Sequence, residues 1–401
     1  MPTTTDPARP VSEDAPARPA ATIGDLRRLA EEAQRAFRPH DPSGRAVFED
    51  LFVLELANNH WGSLERGLRI VDDFAAVVRR NAVRAAIKLQ FRDVDSFIHK
   101  DFRASQDIRY VKKVSDTHMA WEDLRTLVEA VRAAGMVTMT TPFDEVSVAK
   151  AVEFDVEVLK IASSDIRDRK LVPAIAAAGR PTIMSTGGST LADIDAVVDL
   201  FRSCRVPLAI NHCVSIYPSE DDELDLNQID FLRARYPDTV IGLSTHEHRD
   251  WSLSVAIAYG KGARTFERHI DIDRDGIPVS SYCSLPHQAD EWFRAFNRAK
   301  AMCGGAGIAK RQAPDKEVRY LDALVRGVYA RGPIAAGDVL SDANTYLAVP
   351  LLKGQMSCRE LDAGATLRVA AAADAPVMFE SVSAGVASHD LPAIQARGLA
   401  A

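Results

Sequence analysis

The chain has 401 residues, of which 49 are basic and 56 acidic, with a net charge of −7 and 47% hydrophobic residues. So mixed a charge gives no footprint for nucleic acid or an anionic bilayer, and no apolar run reaches the ~18 residues that a membrane span needs. The cysteines Cys204, Cys213, Cys283, Cys303 and Cys358 are scattered without a CxxC pair, which predicts reduced thiols and a cytoplasmic protein.

In chain order, residues 1–45, rich in Pro, Ala and Thr, read as a disordered or extended tail, and the lack of an apolar segment there predicts no signal peptide. Short apolar runs then alternate with amphipathic stretches. Strands are predicted at Val47–Leu54, Ala85–Leu89, Val137–Thr140, Val158–Ile161, Thr182–Met184, Leu208–Asn211, Val240–Leu243 and Thr265–Glu267. Between them lie helical patterns such as Trp121–Ala134, with Leu124, Leu127, Val128 and Val131 on one face, Ala192–Arg202 and Ser252–Tyr259. This alternation predicts an α/β fold, a TIM (β/α) barrel over residues 46–304. A doubly wound sheet would place a Gly-rich fingerprint after the first strand, where Glu55-Leu-Ala-Asn-Asn-His-Trp-Gly62 stands instead. Residues 305–318 read as a linker, 319–390 as a small, mostly-β domain of short strands and turns, and 391–401 as a tail.

The polar residues cluster where barrel enzymes build their sites. Glu55, Lys88, Thr141, Lys160, Ser185, His212, His246 and His269 each fall at or just after the C-terminal end of a predicted strand. A lysine inside an apolar strand points into the barrel mouth, because a buried, unpaired ammonium is costly. Lys88 and Lys160 aimed at one cavity suit a phosphate or carboxylate, with Ser163, Ser185 and the Thr186-Gly187 backbone as further donors. A Schiff-base lysine is the competing reading at this point. His246 and His269, as neutral imidazoles, suit a shared divalent ion, with Glu55 the candidate carboxylate. For each histidine alone, a hydrogen-bonded rim residue is the plainer explanation.

The segments Glu55 to Ser63, Ile87-Lys-Leu-Gln90, Thr141-Pro-Phe-Asp144, Lys160-Ile-Ala-Ser-Ser-Asp165, Ser185-Thr-Gly187, His212 to Pro218 and Glu267-Arg-His269, in this order, resemble the sialic acid synthase family over roughly residues 50–300. Gly327 to Arg331 and Ile334 to Asp338 resemble that family's antifreeze-like (SAF) domain. The resemblance implies condensation of phosphoenolpyruvate with a sugar-like aldehyde, giving a 2-keto-3-deoxy acid and phosphate. It implies that Lys88, Thr141, Lys160, Ser163, Ser185 and Ser244 hold phosphoenolpyruvate. His246 and His269 would bind Mn or Mg, and Glu55 would act as acid/base. Gln90, Asp165, Ser215, Tyr217 and Ser280 fall on the acceptor side. It further implies a homodimer whose SAF domain reaches the partner's active site.

The departures from the family concentrate on that acceptor side. Ser280 stands for an Asp, Asp165 for a Glu and Ser215 for an Asn, while Val349 to Gly354 lacks the family's inter-subunit Arg. Thr245 replaces an Asp beside the metal histidine. An N-acylated hexosamine is the default acceptor, with a nucleoside-derived or other secondary-metabolite aldehyde as the alternative. A 3-deoxy-octulosonate phosphate type of synthase and a non-catalytic glycan-binding homologue are the remaining readings.

Overall fold

The computed structural model describes residues 45–305, 309–361 and 364–383. The predicted tails therefore lie outside the described residues, apart from Arg45. The chain divides into two compact units after Gly304.

The first unit is a closed, parallel eight-stranded barrel in strict sequence order. Its strands are β1 Leu51–Ala57, β2 Arg84–Phe91, β3 Val137–Pro142, β4 Val158–Ile161, β5 Thr182–Ser185, β6 Leu208–Cys213, β7 Val240–Ser244 and β8 Thr265–His269. β8 closes on β1 in the register Leu51↔Thr265 through Glu55↔His269. Helices on the outside follow the predicted periodicity. The helix Trp121–Ala133 buries Leu124, Leu127, Val128 and Val131. The helix Leu64–Asn81 starts at Ser63, whose side chain accepts from the Arg66 amide at 3.2 Å, satisfying one of the orphan donors of the first turn. It ends where Ala82 turns left-handed at φ 51°.

The predicted first strand is corrected at its start. Residues Arg45–Phe48 form a helical turn, and the strand begins only at Leu51, after Asp50 at φ 52°. Phe48 is buried with Leu51, Val53, Ala86, Met139, Val158, Ile183, Ala209 and Val240. These are the inward residues at the strands' N-terminal ends, so Phe48 plugs the barrel floor.

Strand alternation explains the rest of the interior. Along β1, Leu51 and Val53 join the floor, while Phe52, Leu54 and Leu56 face the helical layer. There Phe52 meets Phe266, Trp292, Phe293 and Phe296 at ring-centroid distances of 4.7–5.3 Å. Above the floor the inward positions turn polar. Asn211 Oδ1 accepts from Thr265 Oγ1 at 2.5 Å. Gly242 is required beside this pair, since a Cβ there would stand 1.8 Å from Thr265 Oγ1.

In the second unit β9 Gly327–Ala330 pairs antiparallel with β10 Thr345–Ala348. Val328, Ala330, Ile334, Leu340, Met356, Ala365, Leu367, Val377 and Val382 form its own core. Much of the predicted strand content is reduced to single bridges such as Ile334↔Ala371 and Val339↔Thr366. The predicted linker at 305–318 ends in a helix, Asp315–Asp322, begun by Pro314 and with Asp315 and Glu317 in its first turn, where acidic side chains oppose the helix dipole.

Candidate active site

Inward residues at the C-terminal ends of the strands line a cavity of about 570 Å³. Of the predicted site residues, Glu55, Lys88, Gln90, Thr141, Lys160, Ser163, Ser185, Ser215, Tyr217, Ser244, His246 and His269 line it. Asp165 and Ser280 do not. Asp165 lies behind Ser164, on the loop after β4, and Ser280 hydrogen-bonds Tyr282, which takes the place in the wall. His212 also turns away from the cavity, because its neighbours Asn211 and Cys213 occupy the inward positions, and its Nε2 bonds the Leu224 carbonyl at 2.8 Å.

The cavity floor is a buried chain of charges. Lys160 Nζ lies 3.0 Å from Glu267 Oε1, and Lys88 Nζ lies 2.9 Å from the same oxygen. Lys88 also pairs with Glu55, whose Oε1 accepts from Gln90 at 3.4 Å. All four charged side chains are at most 4% exposed. Burial pushes the Glu267 carboxyl up, but Lys160 and Lys88 outweigh it and hold the group well below the usual carboxylate range. Burial also raises Glu55, whose one ion-pair partner among the described residues is Lys88 and which is repelled by Glu267. Glu267 is therefore the fixed anion and Glu55 the carboxyl able to exchange a proton. Burial likewise opposes the charge on Lys88, yet Glu267 and Glu55 more than restore it.

Several polar atoms here have no protein partner. Thr141 Oγ1, Ser185 Oγ and Glu267 Oε2 are buried and unpaired, an arrangement that costs about 1–3 kcal/mol per group unless a ligand completes it. Gly187 widens the same wall. A Cβ there would stand 2.1 Å from Ser215 Oγ and 2.8 Å from Ser163 Oγ.

His246 and His269 meet at a ring-centroid distance of 5.5 Å, with Tyr217 3.9 Å from the His246 ring. Burial lowers His246 to about 4; burial, the repulsion the two rings would feel if both were protonated, and Lys88 take His269 well below its ordinary value. Both are thus neutral near pH 7. His246 Nδ1 donates to the Val214 carbonyl at 3.0 Å, leaving Nε2 with its lone pair in the tautomer a metal requires. Among the described residues no group of three or more His, Cys, Asp or Glu gathers as a ligand set. Two neutral imidazoles are a donor pair whose chemistry fits a divalent ion.

Sequence reasoning missed Glu267 as a site residue, although its alternation with His269 on β8 places both inward. It also missed Asn58, Arg92, Tyr110, Lys113, Phe143 and Tyr282, which line the cavity from loops and from the helix Arg109–Asp116. Strand periodicity carries no signal for those.

Behind the two histidines a second buried pair joins β7 and β8. Arg268 Nη1 donates to Glu247 Oε1 at 2.5 Å, its Nη2 to the Glu247 carbonyl at 2.7 Å and its Nε to Ser284 at 2.9 Å. Thr245 and Ser254 hydroxyls also bond the Glu247 carboxylate. Thr245, Glu247 and Arg268, which flank the candidate ligands, are therefore locked from the outside of the barrel.

The family model described as "NeuB family" matches residues 78–306. A pseudaminic acid synthase from Campylobacter jejuni is 26% identical, over 74% of this chain and 86% of its own length. Among solved structures, a protein assigned to spore coat polysaccharide biosynthesis in Chromobacterium violaceum is 35% identical with a TM-score of 0.80, covering 84% of this chain and all of the other (100%). An N-acetylneuraminic acid (sialic acid) synthetase from Leptospira borgpetersenii, in complex with citrate, is 26% identical with a TM-score of 0.60, covering 68% of this chain and 91% of the other.

Proposed function

The chain belongs to the NeuB family and is a synthase of the sialic acid synthase type, and from that premise we propose that it condenses phosphoenolpyruvate with a sugar-like aldehyde. The observation that carries this reading is the cluster of unpaired buried donors, Thr141 and Ser185, beside two buried lysines at the cavity floor. Lys88, Thr141, Lys160, Ser163, Ser185 and Ser244 hold the phosphoenolpyruvate anion there. Gln90, Ser215 and Tyr217 face the acceptor, while Asp165 and Ser280, which do not line the cavity, are left out of the acceptor site.

The reaction balances without an oxidant. C3 of phosphoenolpyruvate bonds to the aldehyde carbon, and the aldehyde oxygen takes up a proton. The oxygen of a water molecule adds to C2. Collapse of C2 to the ketone breaks its bond to the bridging oxygen and releases inorganic phosphate. Glu55 holds and moves the proton these steps exchange. Lys88 and Lys160 fix the donor by hydrogen bonds to its anionic oxygens, and Glu267 keeps both lysines in place. His246 and His269 would hold Mn or Mg, which when bound supplies Lewis-acid polarisation of the aldehyde.

The same reading takes the protein as a cytoplasmic homodimer whose C-terminal unit is SAF-like. Among the described residues no helix is long and apolar enough to cross a membrane.

The test is a panel of aldehydes with phosphoenolpyruvate and Mn, read by phosphate release and by mass for an added pyruvyl unit. Phosphate release is expected to stop on thorough chelation and in His269→Ala. Activity unchanged by chelation would remove the metal from the proposal. Borohydride trapping of a substrate adduct on Lys160 would replace it with Schiff-base chemistry.

A further inference from the structure

The charges lining the cavity do not balance, and the excess sits at the mouth. At the floor Glu55 and Glu267 are both committed to Lys88 and Lys160. The other cations of the wall, Arg92 and Lys113, have no such partner. Arg92 stands just past β2, where its Nη1 donates to Gln90 Oε1 at 2.8 Å and its Nη2 to the Tyr110 hydroxyl at 3.3 Å. Its Nε is buried and unbonded. The guanidinium lies 3.6 Å from the Phe143 ring centroid, with Phe97 and Tyr110 at 5.7 and 6.0 Å. Stacking of this kind fixes the plane of a guanidinium without neutralising it. Asp165 and Glu55 act on Arg92 through space, but among the described residues no carboxylate pairs with it. Asp165 is outside the wall altogether. Lys113 is exposed on the helix Arg109–Asp116, which borders the same mouth.

We infer that the acceptor is an anion, an aldehyde sugar bearing a carboxylate or phosphate group that Arg92 grips and Lys113 attracts. Gln90 joins the two halves of the site, since it donates to Glu55 and accepts from Arg92. The guanidinium therefore sets how far the acceptor's charged end stands from the acid/base carboxyl. This inference rests on the condensation proposed above and adds the class of its second substrate. The competing explanation is that Arg92 does no more than orient Gln90, in which case charged and uncharged acceptors would lose equally when it is removed.

The experiment compares N-acetylmannosamine with its 6-phosphate and with N-acetylmannosaminuronate, at saturating phosphoenolpyruvate and Mn. Preference is read from kcat/KM where a sugar turns over and from its dissociation constant where it does not. In the wild-type protein one charged sugar is expected to exceed the neutral parent by about tenfold or more, and which of the two does so tells phosphate from carboxylate. Arg92→Met is expected to bring that ratio to within about threefold of unity, chiefly through KM. Lys113→Met, on an exposed position, is expected to lower it by about threefold and to steepen no salt dependence. Equal preference for neutral and charged sugars, failure of both charged sugars to bind, or a parallel loss for all three in Arg92→Met would overturn the inference. Titration with phosphoenolpyruvate alone separates the two levels. Binding of the donor with any of those results leaves the condensation standing, and no donor binding removes both.

Discussion

Glu55 and Glu267 face the same lysine from opposite sides, yet their surroundings assign them different work. Glu267 is held between two ammonium groups, and Glu55 touches one. Removing the charge of Glu267 leaves Lys160 buried with no carboxylate in contact, while Lys88 retains Glu55. Breaking a buried pair in this way costs about 3–5 kcal/mol. Glu267→Gln is therefore expected to lower stability by about that amount in a urea titration. Glu55→Gln leaves Lys88 its bond to Glu267, and its stability loss is expected to stay below about 2 kcal/mol, near the net worth of a charged hydrogen bond. Its turnover should fall by about 10²-fold or more, as for loss of a general acid–base group. If the two variants lost stability equally, the asymmetry drawn between the carboxylates would be wrong.

At the scale of elements, the loop after β1 shows how the rim is held. Arg66, 1% exposed, reaches from the helix Leu64–Asn81 to Asp271 at 2.7 Å, Asp275 at 2.9 Å and the carbonyls of Asn59, Ile272 and Arg274. It ties the loops after β1 and β8 together. Within the first of these loops His60 is buried, and its Nδ1 accepts from the Gly62 amide at 3.0 Å. Burial lowers it to about 4 from 6.5. The unfolded chain then takes up a proton that the folded chain refuses. Stability from this group is complete above pH 6.5 and is lost as pH falls toward 4, by about 3 kcal/mol in all. Asn at position 60 offers Oδ1 to the same amide and does not titrate. His60→Asn is expected to narrow the difference in stability between pH 7 and pH 4 by up to that amount. His246 and His269 titrate in both proteins and cancel from the comparison. A pH profile parallel to wild type in urea would refute the assignment.

What could be read from the sequence follows the same division between strands and loops. The lysines, Glu55 and both histidines were legible because each falls at or just after the C-terminal end of a short apolar run, where the barrel mouth opens. Glu267 was legible in principle, two residues before His269, but its neighbour Arg268 points to the opposite side of the barrel. Asp165 and Ser280 were placed by motif, and the loops that carry them leave both out of the cavity wall. Arg92 and Lys113 come from the long β2–β3 connection, whose path no periodicity encodes. The start of β1 was misjudged because Val47 and Phe48 are apolar enough for a strand, while the left-handed turn at Asp50 makes them a plug.

At the scale of the whole molecule, each unit has its own apolar core, and every candidate site residue belongs to the barrel unit. Independent cores favour separable unfolding. Calorimetry is expected to resolve two transitions, only one of which rises with phosphoenolpyruvate. At a hundredfold excess over its dissociation constant the donor adds about 2.7 kcal/mol to that transition. A shift of both in parallel would mean that the units unfold as one.

The plug of Phe48 and its neighbours has a kinetic corollary. A barrel stopped at its floor takes its substrates from the rim, and the lysines proposed to hold the donor lie deeper than Arg92 and Lys113 at the mouth. Traffic through a single entrance is a queue. For the proposed reaction, phosphoenolpyruvate is then expected to enter before the aldehyde, and an aldehyde that enters first bars its way. Initial-rate patterns are therefore expected to be sequential and ordered, with high acceptor concentrations inhibiting competitively against the donor. Inhibition by the product should follow the reverse order of exit, the phosphate from the depths leaving after the keto acid.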